Sequence, residues 1–114
     1  MHDFKNKLLK RKLDLIKLLT EIKLSGKTVV GYGSPAKVTT LVHYMGIGDM
    51  IDYIVDDSPL KIGRYTPGTH IPIYSPDKLY KDKPDYVIIL AWNFAEPIMK
   101  KLHFNGFRGK CIIP

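Results

Sequence analysis

The chain has 114 residues, 45% apolar and 25% charged, the balance of a single globular domain. One cysteine, Cys111, excludes an internal disulfide framework and cannot alone build a metal site, and no run of about eighteen apolar residues is present to make a membrane span. Of the net charge of +7, most sits at one end: residues 1–27 carry eight Lys/Arg against three acids, while the other 87 residues carry ten against eight. That basicity belongs to one helix and lacks the interleaved base-stacking aromatics of a nucleic-acid surface, so no nucleic-acid partner is expected. No signal-peptide core or cleavage site follows Met1, and the expected compartment is the cytoplasm.

In chain order, Phe4, Leu8, Leu15, Leu19 and Ile22 recur at helical spacing opposite Lys5, Lys10, Lys12, Lys17 and Lys23. This predicts an amphipathic helix to Leu24, stopped by Ser25-Gly26, whose leucine stripe packs on the domain or on a neighbour. Residues 1–26 therefore read as an N-terminal helix and 27–114 as the domain it serves. Thr28–Tyr32 is a first strand. Gly31-Tyr32-Gly33-Ser34-Pro35-Ala36-Lys37 follows as a glycine turn opening a helix from Pro35 to Met45, where free N–H groups favour an anion. Ala36 stands where a full dinucleotide fingerprint has its third glycine, so the turn alone fits either a nucleotide or a tight connection without ligand.

Ile51–Val55 is a second strand that delivers Asp56, 23 residues after Gly33. An acid there either bonds a ribose hydroxyl or closes an Asx turn with Asp57-Ser58-Pro59. Residues 58–72 form a long Pro- and Gly-rich loop from which Lys61, Arg64 and His70 can face an anion. Ile71–Tyr74 is a short β-type piece that Pro72 confines to an edge, and Ser75-Pro76 starts a short helix. Asp85–Trp92 reads as a buried central strand, Ala95–Phe104 as a helix, and Gly109–Ile113 as a last strand. The alternation predicts an α/β fold: a Rossmann-like three-layer αβα with a mostly parallel sheet of about four strands. Its ligand would sit at the carboxyl ends of the strands.

Gly31–Lys37, Gly63-Arg64, Pro67–Ile73, Pro84-Asp85-Tyr86-Val87 and Leu90–Phe94, taken together, resemble one family over residues 15–114. It is the C-terminal domain of S-adenosylmethionine-dependent sugar C-methyltransferases, which act on keto-deoxysugars carried on a nucleoside diphosphate. The resemblance implies a Rossmann-like nucleotide-sugar-binding domain that works with a zinc-binding region and a cofactor-binding methyltransferase domain. The catalytic groups and S-adenosylmethionine belong to those other parts, so no catalytic residue and no cofactor is assigned to this domain. Ser34 stands where family members usually carry Ala, adding a hydroxyl near the anion site. A weaker resemblance, to the N-terminal domains of amino-sugar acyltransferases, implies the same ligand class.

On this reading the backbone of Gly33–Ala36 and the side chains of Lys37 and Arg64 offset the diphosphate charge, and Asp56 holds a ribose or base edge. His70, Trp92 and Asn93 line the sugar side, and the Tyr32 hydroxyl touches the ligand. Each has a structural alternative: a solvated lysine for Lys37, a loop hydrogen bond for His70, core packing for Trp92 and a wall position for Tyr32. The competing functions are a non-catalytic domain that binds NAD or an adenylate, and a partner-docking domain.

Overall fold

The computed structural model describes residues 2–35, 46–66 and 69–113. Residues 36–45 of the helix expected from Pro35 to Met45, Ala36 and Lys37 among them, lie outside these, as do Pro67 and Gly68. The order is α1 (His2–Leu24), β1 (Val29–Tyr32), β2 (Tyr53–Val55), β3 (Ile73–Tyr74), α2 (Pro76–Asp82), β4 (Tyr86–Ile89), α3 (Ala95–Phe104) and β5 (Lys110–Ile112). The strands form one five-stranded sheet, β3-β2-β1-β4-β5, and every pairing is parallel. The fifth strand is the short piece at Ile73, which joins at the edge.

Side chains alternate across the strands and feed two cores. Val29, Ile54, Ile88 and Leu90 face one side, where Leu15, Leu19 and Ile22 of α1 cover them. Val30, Tyr32, Val55, Val87 and Ile89 face the other, where Leu79 of α2 and Leu102 of α3 close the layer. The described part of the α1 stripe, Leu15, Leu19 and Ile22, thus packs on this domain's own sheet. Lys23 fixes the helix end, its ammonium 2.8 Å from both carboxylate oxygens of Asp52, one of which also accepts the Val29 N–H.

Three local expectations are corrected. β4 ends three residues before Trp92, because the N–H groups of Leu90 and Ala91 both turn to the Tyr32 carbonyl, at 3.0 and 3.3 Å, and Trp92–Phe94 then form a 3-10 turn. Residues 51 and 52 lie ahead of β2, since Ile51 closes a 3-10 turn by donating to the Gly48 carbonyl. Ser75 precedes α2 without a side-chain capping bond. Gly63 and Arg64 of the long loop pair with β3: Gly63 donates to the Ile73 carbonyl at 2.8 Å and Ile73 to that of Arg64 at 2.9 Å. Those bonds occupy the outer edge of β3, which would otherwise be open to strand addition.

Candidate functional site

The carboxyl ends of β1, β2 and β4 meet around the glycine turn. Gly31 sits inside β1, where a Cβ would lie 2.9 Å from Leu90 and 3.0 Å from Ile54, so its bareness serves packing. Gly33 has φ of 91°, a region that L side chains avoid, and a Cβ there would stand 2.7 Å from that of Ala91. The turn is drawn tightly onto the end of β4.

Both described N–H groups of this turn are committed. Gly33 donates to the Val55 carbonyl at 2.8 Å and Ser34 to Asp56 at 3.0 Å, while Pro35 has none to give. The backbone from Gly33 to Pro35 therefore shapes the site and does not itself offer a donor to an anion. Asp56 is the organiser. One oxygen accepts the N–H and, at 2.7 Å, the hydroxyl of Ser34, while the other accepts the Ser58 N–H in an Asx turn. Lys61 donates to the Ser34 carbonyl at 3.0 Å and stands 4.0 Å from Asp56, tying the loop after β2 to the glycine turn.

A second polar group lies beside it. The buried Tyr32 directs its hydroxyl to Asp57, whose other partner is the Lys101 ammonium of α3 at 2.8 Å. Burial, and secondarily the Asp57 charge, push the Tyr32 phenol up to about 12, so it stays a donor at neutral pH. The bond to Asp57 holds the Lys101 ammonium above its ordinary value.

These groups border a cleft of about 250 Å³ lined by Tyr32, Gly33, Ser34, Pro35, Asp56, Asp57, Lys61, Ala91, Phe94 and Ile98. A larger hollow of about 560 Å³ opens at the opposite end of the sheet, beside Pro84, Phe107 and Arg108. Ligands of parallel α/β sheets bind at the carboxyl ends of the strands, which makes the smaller cleft the candidate site. Among the described residues no three His, Cys, Asp or Glu side chains converge as a metal site.

Of the residues read from the sequence, Tyr32, Gly33, Ser34, Pro35, Asp56 and Lys61 come together here. Trp92 and Asn93 lie on the 3-10 turn between Ala91 and Phe94 but outside the lining, and Trp92 is 38% exposed, not packed in the core. Arg64 is exposed beside β3, and His70 is exposed in the same loop with φ of 53°; neither lines the cleft. Ala36 and Lys37 lie outside the described residues. Phe94, Ile98 and Lys101 were not foreseen. They sit on the turn and helix after β4, and helical spacing alone does not say which face meets the glycine turn.

Residues 1–114 match the C-methyltransferase C-terminal domain family. C-methyltransferase NovU of Streptomyces niveus is 40% identical over 101 residues, covering 85% of this chain and 24% of NovU. The chain thus spans about a quarter of the length of that relative. Among solved structures, RSP, a Rex-family repressor, is similar with a TM-score of 0.54 at 18% identity, over 89% of this chain and 53% of that one. At that identity the likeness shows the fold alone.

Proposed function

The chain belongs to the C-methyltransferase C-terminal domain family, and we propose that it serves such an enzyme by binding a nucleoside-diphosphate sugar. The observation that carries the proposal is the composition of the cleft. Lys61 offers an ammonium with donors left over after its bond to Ser34, Asp57 offers a carboxylate, and Phe94, 64% exposed, offers an aromatic face. A phosphate, a hydroxyl and a ring are the chemistry these three groups recognise. In this proposal S-adenosylmethionine and the catalytic groups reside on a methyltransferase domain or subunit that works with this one in deoxysugar biosynthesis. The cytoplasm is the compartment we propose.

Nuclear magnetic resonance titration of the chain with dTDP, UDP, NAD and S-adenosylmethionine tests it. A nucleoside diphosphate is expected to shift the amides of Ser34, Asp57, Lys61 and Phe94. Lys61→Ala is expected to weaken binding about tenfold, the value of one charge-assisted hydrogen bond, and Arg64→Ala to weaken it less. Shifts with NAD alone favour the dinucleotide-binding domain, and no shifts with any of the four favour a docking domain.

A further inference from the structure

The two adjacent carboxylates of the cleft differ in what they have left to give. Asp56 has a side chain only 13% exposed, and both its oxygens accept short protein hydrogen bonds, from Ser34 and from Ser58. A ligand bonding to it would compete with the contacts that shape the glycine turn. Asp57 has a side chain 56% exposed, and its Oδ1 is held at 2.8 Å by Lys101. Among the described residues its Oδ2 has only the longer 3.2 Å contact with the Tyr32 hydroxyl, and a carboxylate oxygen accepts more than one bond. Lys101 and Tyr32 approach from α3 and β1, so the carboxylate is pinned from two elements.

We infer that Asp57, not Asp56, accepts a hydrogen bond from a pentose hydroxyl of the ligand, and that Lys101 is its positioning residue. This rests on the nucleotide-sugar reading above and assigns the polarity of the cleft. Lys61 is the ammonium that lines the cleft, while Lys101 is spent on Asp57 outside that lining, so the diphosphate lies at the Lys61 end and the pentose at the Asp57 end.

The test is calorimetric titration of the chain with dTDP and with its 3′-deoxy analogue, in the wild type, Asp57→Asn, Lys101→Met and Lys101→Arg. The wild type is expected to bind dTDP about tenfold more tightly than the analogue. Asp57→Asn should bring that ratio to within about twofold, chiefly by weakening dTDP. Lys101→Met should lower the ratio with little change for the analogue, and Lys101→Arg should restore it, a pattern that general loss of structure does not produce. Should Asp57→Asn fail to fold, the Lys101 pair carries the test. An unchanged ratio in Asp57→Asn, or in Lys101→Met where that pair carries the test, overturns the assignment while nucleotide binding stands. So does equal binding of both ligands by the wild type. Where UDP binds in place of dTDP, UDP and its 3′-deoxy analogue carry the same comparison, and binding of no nucleoside diphosphate overturns the assignment and the nucleotide-sugar reading together.

Discussion

Gly33 is the residue on which the geometry of the cleft depends. Its φ of 91° and the 2.7 Å that would separate a Cβ from Ala91 are two independent reasons for glycine. A left-handed conformation costs an L residue roughly 1–2 kcal/mol, and overpacking adds roughly 1–3 kcal/mol. Gly33→Ala is therefore expected to destabilise the chain by about 2–5 kcal/mol, read as a lower urea midpoint at constant slope. Gly26 supplies the control, since its φ is 76° and nothing lies within 4 Å of a Cβ there. Gly26→Ala should lose only the conformational part, about 1–2 kcal/mol. Equal losses at the two positions would mean that Ala91 moves aside and that the turn is less tightly held than described. The glycine pattern around this residue was legible because its cause is local. The spending of the Gly33 and Ser34 N–H groups on Val55 and Asp56 was not, because the acceptors come from the end of β2 and the residue after it.

At the scale of elements, α1 is bound to the sheet by one stripe. Leu19 is fully buried between Leu15, Ile22 and the strand residues of that core, while Leu18, one position away, is 41% exposed. Leu19→Ala is expected to cost about 2–5 kcal/mol and Leu18→Ala within about 0.5 kcal/mol, both by chemical denaturation. A small loss at Leu19 would mean that the helix contributes little to folding, and that its stripe is held for a partner. The stripe and the alternating strands could be read before the structure because each repeats with its own period over several turns or residues. Element ends could not. The run from Tyr86 to Trp92 is apolar or aromatic throughout, and only the capture of two N–H groups by the Tyr32 carbonyl decides that the strand stops at Ile89 and that Trp92 reaches the surface. Pro72 announced an edge position for the piece at Ile73, yet the bonds from the loop that cover that edge have no sequence signature.

For the molecule as a whole, the cleft is small beside the ligand proposed for it. Its volume of about 250 Å³ falls below the roughly 300–1,000 Å³ of pockets that enclose a drug-sized ligand. A nucleoside-diphosphate sugar is larger still, so on the proposed reading part of it projects beyond the cleft while Lys61 and Asp57 hold the rest. Methyl transfer requires donor and acceptor atoms within about 3–3.5 Å of each other. In the proposal above, S-adenosylmethionine sits on another part of the enzyme. The chain alone is therefore expected to bind dTDP and transfer no methyl group. At a dTDP concentration 100 times the dissociation constant, binding should stabilise the fold by about 2.7 kcal/mol, a melting-temperature rise of roughly 10 °C. S-adenosylmethionine should give no rise. Incubation with labelled S-adenosylmethionine and a nucleoside-diphosphate keto-deoxysugar should leave the sugar unlabelled until a methyltransferase domain of the same family of enzymes is added. Labelling by the chain alone would move the chemistry back onto these residues and end the division of labour proposed for them.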